Sequence, residues 1–303
     1  MIDRRRLLMG AAAVAAAAPS LAQAAAAFND ADARLNALLD GWFEADIDES
    51  PERATGLGLD KGDRAHLSHK LSEGGLKARE DERAKDLSRW EAICGFDQSG
   101  LSEAGALNYA IAAFGRETSA LAAGFDYGSG RSPYAVTQLS GAYYSLPDFL
   151  ENQHRIEDKD GADGFMARLE AFAERLDGET EIIRADASKG VVAPDYVLDR
   201  TLPQIRTLRD MSGDDWSMIK SVARKEAALG LSGYADRAKA LLERKVKPAL
   251  DRQIQTMESL RAAAVHDAGV WRLPQGEAFY GLGLRSNTTT TLSADEIHRM
   301  GVE

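Results

Sequence analysis

The spacing of apolar side chains constrains this chain more than any single motif does. Along Leu107, Ile111, Phe114, Thr118 and Leu121 the mostly apolar residues recur at steps of four and three. The same steps return at Phe165, Leu169, Phe172 and Leu176, and again at Leu250, Ile254, Met257, Leu260 and Ala264. Such steps draw one stripe along a helix of 3.6 residues per turn. The period-two alternation of a half-buried strand is nearly absent. The pattern predicts an all-α protein, a large helical array with little or no β-sheet.

Further helices are expected over residues 30–45, 77–93, 139–155, 179–188, 195–208 and 214–229. Pro248 falls inside the long pattern of 232–267, where its missing N–H and its ring should split the helix into two segments meeting near Lys247. Residues 276–285 are ambiguous, since Tyr280 and Leu284 fit a helix while Gly281 and Gly283 weaken it. The β-branched run Thr288, Thr289, Thr290 and Thr291 reads as an extended, strand-like connection. Ser293 then stands three residues before Glu296, the capping-box spacing that opens a helix. Ten residues remain from Ala294 to Glu303, about 15 Å of helix. A helix so short needs something to pack against. The expectation is that the natural polypeptide continues past Glu303, with the 250–264 stripe among the faces awaiting cover.

The opening residues read differently. Arg4, Arg5 and Arg6 precede Leu7 and Leu8, an alanine-rich apolar run follows, and Ala22-Gln23-Ala24 closes it. A charged start, a short apolar core and a small-x-small end make an export signal, and the consecutive arginines suit the twin-arginine route. Residues 1–24 are thus expected to be a leader, leaving 25–303 as one helical domain, periplasmic or secreted, with no membrane anchor after cleavage. The chain carries 48 acidic against 37 basic side chains, a net charge of -11. That balance argues against nucleic acid as a partner, because phosphate binding needs clustered cations. The single cysteine, Cys94, permits no internal disulfide; beside Ile93 and Phe96 it is expected to be a buried thiol.

No motif in the chain assembles a catalytic centre. The zinc-hydrolase pattern H-E-x-x-H does not occur. The five histidines, His66, His69, His154, His266 and His298, are scattered. His66 and His69 have a spacing that could serve a metal on a helix, but Gly and Ser residues flank them, and a loop is expected there. His154 and His298 read as helix-surface or hydrogen-bonded structural residues. The stretch Gly128-Ser129-Gly130 lacks the strand-to-helix setting of a serine nucleophile. The acidic groups Asp46, Asp48 and Glu49, and Glu157, Asp158 and Asp160, read as solvated turns rather than calcium loops.

Several blocks nevertheless resemble a known family. They are Ser50-Pro51-Glu52-Arg53-Ala54-Thr55-Gly56-Leu57-Gly58, the stretch from Asp148 through His154 to Ile156, Pro274-Gln275-Gly276-Glu277-Ala278-Phe279-Tyr280, and Glu296-Ile297-His298-Arg299-Met300-Gly301. Together they resemble the bacterial domain of unknown function 885 family, exported helical proteins similar to zincin metallopeptidases. The resemblance implies a zincin-like helical fold of which this chain is the N-terminal half. A second half carrying H-E-x-x-x-G-H-type ligands would supply zinc and a glutamate base. No catalytic or metal residue transfers to this chain, and His298 matches none. The implied activity of the full-length protein is peptide-bond hydrolysis on a peptide substrate. Tyr280, Arg285, Thr288, Thr289 and Thr290 are the residues expected nearest the cleft, as substrate contacts. A competing expectation is a complete, non-catalytic helical binding or scaffold protein of the periplasm.

Overall fold

The computed structural model describes residues 30–128 and 132–303. The expected leader, residues 1–24, lies outside them. The regular secondary structure of the described residues is helical, and their one extended pairing is an isolated antiparallel bridge between Thr137 and Ser140. In chain order the α-helices are α1 (Asp30–Glu49), α2 (Pro51–Leu57), α3 (Gly75–Cys94), α4 (Glu103–Ala123), α5 (Ala142–Asp148) and α6 (Lys159–Ser188). They continue with α7 (Asp195–Asp210), α8 (Ser217–Ala228), α9 (Tyr234–Leu241), α10 (Lys247–Arg261), α11 (Gly276–Thr288) and α12 (Ala294–Val302).

Helix α6 is the axis of the molecule. Asp158 caps it by accepting from the Gly161 N–H at 2.8 Å, relieving one of the orphan donors of a helix start. Its stripe Phe165, Leu169, Phe172 and Leu176 is fully buried. The expected helix 179–188 is the second half of this same 30-residue element. Against α6 lies α10, which also packs on α7. Leu250, Ile254 and Met257 are buried there, so the 250–264 stripe is covered by the chain's own helices and needs none from outside.

Two of the prolines in helical stretches, Pro248 and Pro147, stand beside a widened turn. The α9 helix runs through a π turn, Leu242–Val246, into α10, and Lys247 N–H bonds to the Leu242 carbonyl five residues back. Pro248 then sits in the first turn of α10, where a missing N–H costs nothing. The two segments meet near Lys247, as expected. Pro147 in α5 leads into a second π turn, Phe149–Gln153, where His154 N–H returns to the Phe149 carbonyl at 2.9 Å. Such turns are rare and concentrate at specialised sites.

Several expectations need correction. His66 and His69 lie on a 3₁₀ helix, Gly62–His69, that docks on α6 and buries its Leu67. Residues 276–285 are helical and lie within α11. Thr288 is the last residue of that helix and Thr289 takes a left-handed φ of 53°, so 288–290 forms no strand. Cys94 is exposed: Ile93 takes the buried position, and one residue along a helix is a turn of about 100°. The capping box of Ser293 and Glu296 is present and opens α12.

Helix α4 departs from the usual amphipathic arrangement. It packs along α3 and touches α1 and α11, yet only Gly105 and Ala123 of its 21 residues are buried. Leu107 and Ile111, one turn apart on its stripe, are 61% and 63% exposed. Helix α12 likewise buries none of its residues.

Candidate functional site

Two polar centres are built on α6. The first begins where α3 starts close against α6. A Cβ on Gly178 would stand 2.8 Å from the backbone nitrogen of Gly75, whose φ is +90°, so both positions require glycine. This approach places the carbonyls of Ser72 and Glu73 over Arg175, whose Nη1 donates to them at 3.4 and 2.6 Å. The Nε of Arg175 is buried and has no hydrogen-bond partner. Among the described residues no carboxylate forms an ion pair with this guanidinium.

One turn further along α6 is Glu179, only 8% exposed. Both its oxygens accept from the Ala142 N–H, at 2.8 and 3.0 Å, and Gln253 Nε2 of α10 approaches at 3.4 Å. Burial pushes this carboxyl up to about 7, partly opposed by Arg175 and by the Ala142 and Gln253 bonds. A carboxyl so raised can take or give a proton near neutrality.

Arg175 and Glu179 lie on the walls of two neighbouring cavities, of about 510 Å³ and about 900 Å³. Phe125, Tyr127, Tyr134 and Ile182 give the smaller one an apolar side. Its other cations are engaged. Arg79 holds the buried Asp186 at 2.7 and 2.9 Å, and Arg83 donates to the Ala123 carbonyl at 2.8 Å and to Asp126 at 3.1 Å. The larger cavity opens toward Glu52, Ser72 and Ser145.

The second centre is structural. Arg168 is fully buried and donates to Lys70 O at 2.8 Å, Leu67 O at 3.0 Å, Thr55 Oγ1 at 2.6 Å and His154 Nδ1 at 2.7 Å. Thr55 passes the chain on, donating to Asp60 at 2.7 Å. Because His154 Nδ1 accepts from a guanidinium, its proton must sit on Nε2, which bonds the Gly161 carbonyl at 2.8 Å. Burial, reinforced by Arg168, holds His154 down at about 4, and burial lowers Arg168 itself to about 10. This network ties the 3₁₀ helix and α2 to α6.

The expected substrate contacts are gathered on α11 and its end. Tyr280 is 52% exposed. Arg285 pairs with Glu117 of α4 and lies over the Phe114 ring at 5.4 Å. Thr288 donates to Leu284 O at 2.8 Å and shares a 2.9 Å bond with Thr290, while Thr289 bonds the Thr288 carbonyl at 2.7 Å. None of the five lines the Arg175 and Glu179 cavities. Those two residues went unnoticed in sequence, although a signal existed: the stripe that steps through Phe172 and Leu176 lands next on Glu179, a charge where an apolar side chain is due.

The histidines stay apart. His66 Nδ1 contacts Asp63 O at 3.2 Å, His69 Nε2 contacts Asp160 at 3.2 Å and His266 Nδ1 contacts Asp195 at 2.9 Å. Among the described residues no three His, Cys, Asp or Glu side chains are grouped so as to hold a metal ion. These residues therefore do not fit zinc. Asp48 is held by Arg64 at 2.5 Å and Asp46 by Arg89 at 2.7 Å. Asp158 is spent on its cap.

Residues 51–303 match the family described as "Bacterial protein of unknown function (DUF885)". The fold is similar to "The crystal structure of the putative lipoprotein from Colwellia psychrerythraea", with a TM-score of 0.80 and 20% identity over 90% of this chain and 48% of that one. The chain thus spans about half the length of that protein. No curated protein matches.

Proposed function

Because the chain belongs to the bacterial DUF885 family, we propose that it forms the N-terminal helical half of an exported zinc-dependent peptidase, whose metal ligands and glutamate base come from polypeptide outside these 303 residues. The observation that carries this reading is the bare face of α4. Leu107, Ile111 and Leu121 point apolar surface at water from a helix that α3, α1 and α11 cover only in part. Folded monomers seldom leave such a face uncovered, and burial of each side chain would return about 2 kcal/mol. A similar protein of roughly twice the length has the mass to cover it.

In this reading α11, which packs on α4, sits beside the junction of the two halves. Tyr280, Arg285 and Thr288 to Thr290 there contact a peptide substrate. Export proceeds through Arg4 to Arg6 by the twin-arginine route. No helix among the described residues is long and apolar enough to cross a membrane.

The test compares the complete gene product with the 303-residue chain for bound zinc and for cleavage of a mixed peptide pool, with and without chelator. Metal-dependent cleavage by the complete product alone is expected. Stoichiometric zinc and chelator-sensitive cleavage by the 303 residues would overturn the reading. So would a complete product that neither binds zinc nor cleaves, which would leave a helical scaffold.

A further inference from the structure

We infer that the cavity beside Arg175 is a binding site for a carboxylate carried on a short aromatic or aliphatic body. The inference stands on this chain alone and does not require that the protein hydrolyse anything.

A guanidinium can hold backbone carbonyls on one nitrogen while another donates a charge-assisted bond to a carboxylate. In Arg175 the Nη1 is committed to the Ser72 and Glu73 carbonyls. Those two bonds fix the plane of the group. Its Nε donates to nothing and is closed off from the cavity, so a ligand meets the guanidinium through Nη2, which no protein hydrogen bond occupies. Every other cation named on the smaller cavity has a partner: Arg79 has Asp186, and Arg83 has Asp126 and a backbone carbonyl. Of the acids there, Glu82 pairs with Lys85 at 2.5 Å and Asp86 with Arg116 at 4.0 Å, while Glu73 also lines the cavity and has no ion pair among the described residues.

Glu179 is the neighbour that might be thought to repel an anion. Its two oxygens are taken by the Ala142 N–H, and its raised proton affinity leaves it only partly charged near neutrality. The rest of the ligand is described by the opposite wall. Phe125 and Tyr127 sit with ring centroids 6.1 Å apart, edge to face, and with Tyr134 and Ile182 they offer an apolar surface. A volume of about 510 Å³ falls within the range of small-molecule sites.

The test uses N-acetyl-phenylalanine, its primary amide and octanoate as calorimetric probes on the 303-residue chain at pH 6.5. Saturable one-to-one binding of N-acetyl-phenylalanine, at least tenfold tighter than its amide, is expected. Octanoate binding as well would identify the carboxylate with any apolar body as the ligand class, and its failure would narrow the class to amino-acid-like carboxylates. Arg175→Lys has one nitrogen, which the Ser72 and Glu73 carbonyls take up, leaving none to replace Nη2, and should weaken binding about tenfold with an unchanged circular dichroism spectrum. Arg175→Gln should abolish it. No saturable binding, equal affinity for acid and amide, or an undiminished Arg175→Lys would overturn the inference. None of these outcomes depends on zinc or on hydrolysis, so this inference and the peptidase reading fail separately.

Discussion

Two buried residues give this protein opposite responses to acid. His154 is neutral in the fold, pinned between Arg168 and the Gly161 carbonyl and held at about 4. The unfolded chain takes up its proton as pH falls below the ordinary histidine value of about 6.5, and the folded chain does not follow until about 4. Stability is therefore lost across that window, by on the order of 3 kcal/mol. Glu179 works the other way. Raised by burial to about 7, it keeps a proton that the unfolded chain releases above about 4.5. Its contribution is present below that and lost as pH rises through 7. His154→Gln should therefore flatten the acid limb in urea titrations between pH 6.5 and 4. Glu179→Gln should steepen it, and parallel curves for the two variants would refute the assignment. Arg168→Met would leave the Lys70 and Leu67 carbonyls and His154 Nδ1 without their donor, and should cost about 3 kcal/mol or more, read as a fall in the urea midpoint. At this scale little was legible beforehand. Arg168 and Glu179 look like ordinary charges on a helix until the fold shows what stands over them, since periodicity reports a face and not the partners of a polar group.

At the scale of the element, the stripes on α4 and α10 follow similar spacing and differ in burial, Leu107 and Ile111 being exposed where Leu250 and Ile254 are buried. Leu250 is fully buried between helices, so Leu250→Ala should cost about 2–5 kcal/mol, the transfer loss plus the cavity. Ile111→Ala on the exposed stripe should change the stability of this chain by no more than about 0.5 kcal/mol. Chemical denaturation of the pair checks both, and similar losses would mean that α4 is not bare. The helices themselves were readable because 3.6-residue spacing, the capping box at Ser293 and the split at Pro248 are local signals. What escaped reading was also local but ambiguous. β-branching at Thr288 to Thr291 favours extended backbone, while the helix of α11 carried through to Thr288 and turned at Thr289. The 3₁₀ helix under His66 and His69 forms because Leu67 finds α6 and Arg168 meets its carbonyl, which no window around those histidines contains.

Across the whole molecule, a core packed around α6 adjoins a helix whose apolar stripe is exposed in part, in a chain that spans about half the length of its structural relative. The central claim is that further polypeptide covers α4. Thiol labelling tests it most directly, with the exposed Cys94 first removed by Cys94→Ser and a single probe placed by Ile111→Cys. The account predicts rapid modification of that thiol in the 303-residue chain and at least about tenfold slower modification in the complete gene product, as expected for a side chain moved from water into a packed interface. Equal rates in the two proteins would contradict it.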